Sequence, residues 1–376
     1  MLIFAAVIAI FVYGMTGSML GTILPELSKR FALTPRQNGT IALAQALGLM
    51  LASLGVGPLL DNLGDKPGLV LGLALMAAAL LGLPRVRGFH SIVILLFLLG
   101  SGGGIVTTGA DALVSVASLA HRATVLNLVN IAFGLGALAT PFLAANLLQR
   151  NWIRLCYLIV GLTFATLAVQ LATRMPSAQG TGGFITEAGP AMASPLLWLL
   201  ALFMFLYIGC EVGVWNWLVR HLIAQGVPEK SALNILSLGF ALGLLSGRVG
   251  VVPVLAHAAP ARVTLGAALC MAFTSFLMLR ARGRWTAAIL VFAAGLSMAP
   301  VFPTTLAIVG GAFPRITGTA MGIVITFGWA GLAVSSRVIG SIAGGDPARL
   351  RKALLVIPAS AVLMVGLNLA ALAMMK

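Results

Sequence analysis

Few side chains in this sequence can do chemistry, and most of those sit inside long apolar runs. In TTGADALVS, residues 107–115, Thr107, Thr108, Asp111 and Ser115 fall near one helical face, because positions i, i+4 and i+8 nearly align. A carboxylate flanked by hydroxyls can bind a polyol, carry a proton or help hold a sodium ion. In LYIGCEVGVWNWLVRHL, residues 206–222, Tyr207, Glu211 and Trp215 recur at the same spacing. An acid beside aromatic rings suits a sugar, whose hydroxyls need fixed polar partners while its C–H face stacks on a ring. Asn216 joins that face only if Gly209 or Gly213 lets the helix bend. The competing reading for Asp111 and Glu211 is a structural hydrogen bond to a neighbouring helix, and for Trp215 and Trp217 an aromatic belt at the membrane edge. Asn127, Asn130 and Gly134 form a stripe in NLVNIAFGLG, and in GLSMAPVFPTTLA Pro300 and Pro303 must kink the helix that carries Thr304. Tyr13, Thr22 and Gln45 are further polar positions that core hydrogen bonding explains equally well.

Other chemistries lack their residues. The histidines His90, His121, His221 and His257 lie near the ends of apolar runs without partners at metal or nucleophile spacing, so neither an enzyme nor a metal site is expected. Cys156, Cys210 and Cys270 fall inside runs and read as free buried thiols. The formal net charge of +15 invites a nucleic-acid partner, but the basic residues scatter through short turns instead of clustering on one module. Anchoring at a membrane edge accounts for them, and no nucleic-acid partner is expected.

The elements that must position these residues are set by composition. Of 376 residues 60% are hydrophobic and 8% charged, with mean hydropathy +1.08, too little polar surface to cover a soluble protein. About 20 apolar residues cross the ~30 Å hydrocarbon layer as a helix. Twelve runs meet that scale: 2–28, 37–60, 67–84, 90–119, 123–148, 152–172, 195–222, 230–257, 260–280, 285–311, 315–341 and 352–375. None alternates with the period of two that a membrane barrel requires, so the expected class is an all-α membrane protein of twelve transmembrane helices. The first run lacks a basic leader and a small-residue cleavage site, and reads as a span and not a removable signal.

The longest polar interruption, RMPSAQGTGGFITEAGP, marks a flexible linker and divides the spans six and six. The predicted organisation is a first half over 1–173, a linker over 174–194 and a second half over 195–376. The halves register as a repeat: Gly57 with Gly250, Pro67 with Pro260 and Arg122 with Arg315, with Phe133-Gly134 and Phe327-Gly328 one residue out of step. Thr304 lies one repeat after Asp111, so the two are expected on facing walls of a pseudo-symmetric cavity.

Two six-helix halves joined by a long loop resemble the major facilitator superfamily. GPLLDNLGDKPG, residues 57–68, is similar to its signature between the second and third helices: Gly57, Asp61, Gly64 and Lys66 match, while Asp65 stands where a basic residue is usual. Gly57 and Gly64 permit close approach and a tight turn, and Asp61 can accept hydrogen bonds from a facing helix end and from a basic partner. The stretch is read as a conformational latch. Its counterpart, GRVGVVPVLAHAAPAR, keeps Gly250 but has Val254 for the aspartate, so a one-sided latch is expected. TTGADALVS, NLVNIAFGLGALATPF, LYIGCEVGVWNWL and GLSMAPVFPTTLA, with GTILPELSKRFALTPRQNGT near the start, resemble the fucose-permease group, which includes sodium-dependent glucose transporter-like members. That group commonly has asparagine where this chain has Asp111. The acids tied to proton coupling in fucose permease would fall at about Gly21 and Thr107, where this chain has none.

The resemblance implies a secondary transporter of a small neutral sugar working by alternating access. It would be a monomeric multi-pass protein of a bacterial inner membrane, in contact with lipid and with both termini cytoplasmic. Basic residues crowd the turns this places outside, against the usual positive-inside bias. The expected substrate contacts are Asp111, Glu211, Trp215, Asn216, Tyr207, Thr107, Thr108, Gln45, Asn130 and Thr304. The resemblance does not transfer the coupling mechanism; if transport is coupled, Asp111 or Glu211 is the expected coupling group, for a proton ahead of Na+, with no other cofactor. The alternative is a multidrug-type exporter, to which fifteen methionines would offer an adaptable lining.

Overall fold

A computed structural model describes residues 1–148, 151–175, 189, 192–344 and 347–375. Most of the linker, together with Arg150 and Lys376, lies outside the described residues. Twelve helices are long and apolar enough to cross a membrane, and the described residues contain no strand. They are α1 (Leu2–Phe31), α2 (Pro35–Leu63), α3 (Asp65–Gly82), α4 (Phe89–Ala117), α5 (Arg122–Asn146), α6 (Trp152–Ala172), α7 (Pro195–Ala224), α8 (Glu229–Leu255), α9 (Pro260–Met278), α10 (Arg284–Ala312), α11 (Thr317–Ala343) and α12 (Val356–Met374). The chain is an integral multi-pass membrane protein.

Local chemistry fixes several helix ends. Thr34 and Gln37 form a capping box at the start of α2, and the Asn151 side chain accepts from the backbone N–H groups of Ile153 and Arg154 at the start of α6. Gly64, between α2 and α3, has φ 86°, a left-handed backbone that a Cβ would strain. α10 breaks between Met298 and Val301, where Pro300 removes a backbone donor as the sequence requires. α8 carries a π-helical stretch, Ile235–Ala241, that no sequence signal announces. There the Ser237 hydroxyl donates back to the carbonyls of Leu233 and Asn234, competing with the regular ladder.

The helices group into two compact units, and each takes a short piece from the other half of the sequence. The first comprises residues 1–122, 129–191 and 313–326, and so includes the opening turns of α11. Within it α4 packs against α1, α2 and α3, and α6 against α1 and α3. Met15, Met19, Leu73, Met76, Leu80 and Leu96 are among its fully buried core residues. The α2–α4 contact is backbone to backbone: a Cβ on Gly48 would strike the Phe97 carbonyl, one on Gly100 that of Gln45, and one on Gly104 that of Leu49.

The second unit comprises residues 123–128, 192–312 and 327–376, and so includes an early segment of α5. In it α12 packs on α7 and α9, and α8 packs on α10. One close approach occurs in both units. Gly136 of α5 abuts the Phe11 carbonyl of α1, and Gly331 of α11 abuts the Phe205 carbonyl of α7. The phenylalanines lie 194 residues apart and the glycines 195, so the repeat seen in the sequence is also a repeat of helix contacts.

Candidate functional site

Asp61 stands in the last turn of α2, facing the first turn of α11. Its Oδ1 accepts the Gly318 N–H at 2.8 Å, and its Oδ2 accepts the Thr319 N–H at 2.8 Å and the Thr319 hydroxyl. These N–H groups open α11 and have no carbonyl within their own helix to bond. A carboxylate supplied by another helix satisfies them and complements the positive end of the helix dipole. The approach requires Gly57, since a Cβ there would lie 2.5 Å from Thr319 Cα. Farther along, Gly322 lies against the Ser53 carbonyl and the Thr326 hydroxyl donates to the Met50 carbonyl at 3.1 Å. Four successive levels of α2 thus meet α11.

Lys66, the basic residue of the same signature, bonds to α6. Its ammonium donates to the carbonyls of Leu171 at 2.6 Å and Thr173 at 3.1 Å, capping the C-terminal end of α6 where a cation is favoured. Asp65 is the first residue of α3, where a carboxylate suits the helix N-terminus, and it lies within repulsive reach of Asp61. At the end of α4 the Arg122 guanidinium donates to the Ser115 carbonyl at 2.8 Å.

Deeper in the first unit, Thr107, Thr108, Asp111 and Ser115 are all buried on α4, with Asp111 fully enclosed. Asp111 Oδ1 accepts from the Asn130 amide at 3.1 Å, which ties α4 to α5. Tyr13 of α1 is within electrostatic reach of Asp111, and its ring packs on Phe133 with centroids 5.3 Å apart. The hydroxyls of Thr108 and Ser115 are buried without a hydrogen-bond partner among the described residues. Gln45 is half-buried on α2. Of these groups, sequence reasoning underweighted Tyr13, and Phe133 carried no chemical signal apart from its place in the repeat.

In the second unit Tyr207 is fully buried on α7, with Glu211 and Arg248 of α8 both within electrostatic reach of its phenol. Arg248 is 6% exposed, buried within the span instead of reaching out of it. Glu211 is half-buried. Trp215 packs edge-on against Phe240 of α8, centroids 5.3 Å apart, and remains 37% exposed. α7 runs without interruption through Gly209 and Gly213, so the bend that would bring Asn216 onto the Glu211 face does not occur, and Asn216 is exposed. Thr304, expected on a wall facing Asp111, has its hydroxyl bonded by the Asn127 amide at 3.0 Å. Cys156 and Cys210 are buried as expected, whereas Cys270 is exposed because its side of α9 faces outward.

The described residues hold no group of three or more His, Cys, Asp or Glu able to bind a metal ion. What the interior offers is two carboxylates, Asp111 and Glu211, each set among polar or aromatic partners and surrounded by apolar helix. Such groups can bind hydroxyls or exchange a proton or cation, but they make no nucleophile–base pair.

A family model described as Major Facilitator Superfamily matches residues 6–373. The glucose/mannose transporter GlcP of Bacillus subtilis is 25% identical over 64% of this chain and 62% of its own length. The L-fucose-proton symporter of Escherichia coli is 23% identical over 63% of this chain and 61% of its own. The chain therefore spans less than two thirds of the length of either relative. The crystal structure of FucP in the outward conformation superposes with a TM-score of 0.85 at 18% identity, covering 98% of both chains, which establishes a shared fold.

Proposed function

Because the chain belongs to the Major Facilitator Superfamily, whose members are transporters and not enzymes, we propose that it moves a small neutral sugar across the membrane by alternating access. One observation carries the reading. An apolar chain with only eight acidic residues in total keeps Asp111 fully buried in α4, bonded to Asn130, and holds Glu211 beside buried Tyr207 in α7. Burying ionisable groups at such sites is expensive and is retained where substrate or ion must be met. The glucose/mannose and fucose relatives support the substrate class.

The substrate contacts assigned within the first unit are Asp111, Asn130, Thr107, Thr108 and Gln45, and those within the second are Glu211, Tyr207, Trp215 and Thr304; Asn216, off the Glu211 face, is left out. Asp111 is the coupling group, with a proton as the ion, and Glu211 is the second candidate. The first half (1–173) and second half (195–376) are the moving bodies, joined by the linker. Asp61, with Gly57, Gly64 and Lys66, latches one end state through the start of α11. The protein acts as a monomer in a bacterial inner membrane with both termini cytoplasmic.

The test is a competition panel in proteoliposomes. Glucose, mannose, galactose and fucose should compete with one another for entry. Displacement by lipophilic cations, with none among hexoses, would replace this reading with that of an exporter.

A further inference from the structure

Between α2 and α4, on an exposed face of the first unit, lies an open apolar groove of about 350 Å³. Its walls include Leu43 and Leu47 of α2 and Ile94 and Phe97 of α4, all more than a third exposed. The groove has a structural cause. The two helices meet backbone to backbone at Gly48, Gly100 and Gly104, and the groove is the space left between them on the N-terminal side of that contact.

Charge gathers at its open end. On α2, Arg36, Thr40, Leu43 and Leu47 lie at i, i+4, i+7 and i+11, so an exposed guanidinium sits one turn beyond the groove on the same face. A helical side chain leans towards the helix N-terminus, which carries Arg36 outward past the start of α2. The same end of the unit exposes Lys29, Arg30, Arg85, Arg87 and Arg154. Among the described residues the one acid there is Glu26, and it is paired with Lys29 at 3.9 Å.

We propose that this groove holds one acyl chain of an anionic diacyl phospholipid whose phosphate is bound by Arg36. An apolar slot alone would accept any lipid tail. The slot together with an unbalanced cationic rim selects for a negative headgroup. This also gives a use to the basic residues that crowd these turns, whichever side of the membrane they face.

The test is native mass spectrometry of the detergent-purified protein titrated with palmitoyl-oleoyl phosphatidylglycerol or with phosphatidylcholine of the same chains. The wild type should retain one phosphatidylglycerol in preference to phosphatidylcholine. Arg36→Gln should reduce that preference about fivefold, the worth of one basic residue at a lipid surface. Leu43→Trp fills the groove from an exposed position and leaves the charge unchanged, so it should displace the first lipid of either kind while circular dichroism shows intact helices. Equal retention of the two lipids by the wild type would overturn the proposal. So would an unaltered first phosphatidylglycerol adduct in folded Leu43→Trp.

Discussion

Replacing Asp61 with asparagine probes the latch at its most exposed point. The wild-type carboxylate accepts three hydrogen bonds from Gly318 and Thr319. The amide side chain of Asp61→Asn would keep the shape and one acceptor oxygen but would turn an NH2 group towards a donor. At least one charge-assisted bond is lost, worth roughly 1.5–3 kcal/mol. The interaction of the charge with the helix N-terminus, roughly 0.3–1 kcal/mol, is lost as well. A loss of about 2 kcal/mol is the conservative figure and corresponds to about thirtyfold in an opening equilibrium. Hydrogen exchange reads this directly, because the Gly318 and Thr319 amides depend on Asp61 for protection. Peptides covering 313–321 should exchange about thirtyfold faster in Asp61→Asn, while peptides from the middle of α4 are unchanged. Equal exchange of 313–321 in both proteins would refute the assignment of Asp61 as the cap of α11.

Gly57→Ala places a methyl group 2.5 Å from Thr319 Cα, and the resulting overpacking, typically 1–3 kcal/mol, should loosen the same peptides without any change in charge. Asp111→Asn can preserve an acceptor for the Asn130 amide, so the fold and hexose exchange should survive; accumulation against a proton gradient should disappear, and its persistence would remove Asp111 from the coupling role. Lys66→Met leaves the carbonyls of Leu171 and Thr173 uncapped and should lower stability by about 1 kcal/mol, seen as faster exchange at the end of α6. Asn127→Ala deprives the buried Thr304 hydroxyl of its donor, at a cost of roughly 1–3 kcal/mol, read as a lower melting temperature in detergent.

The sequence was most informative where one physical variable decides the outcome. Length and hydropathy placed all twelve helices, because a lipid-spanning segment has to be an apolar helix of fixed length, and α6 begins and ends where its apolar run does. Pro300 located the break in α10 because its ring excludes regular helix there. The partners were less legible. Asp61 is conspicuous in the sequence, but what it binds is largely the backbone of α11, and backbone groups have no sequence signature. Lys66 likewise meets carbonyls of α6 more than a hundred residues away. Periodicity put Tyr207, Glu211 and Trp215 on one face, but it could not say that Phe240 would cover one edge of Trp215 or that Arg248 would be drawn inward. The π-helical stretch in α8 has no counterpart in hydropathy, which does not distinguish a π turn from an α turn.

The central claim is that Asp111 and Glu211, acids set among apolar helices, serve the movement of a sugar, and exchange transport tests it most directly. The purified protein, reconstituted in liposomes loaded with unlabelled glucose, fucose or a related hexose, would be diluted into the same sugar at trace radiolabelled concentration. Saturable counterflow of at least one hexose is predicted, with net accumulation driven by an imposed proton gradient. Absence of counterflow for every hexose, in protein whose helicity is intact, would contradict the account; counterflow responding to a sodium gradient alone would keep the carrier but overturn the proton assignment.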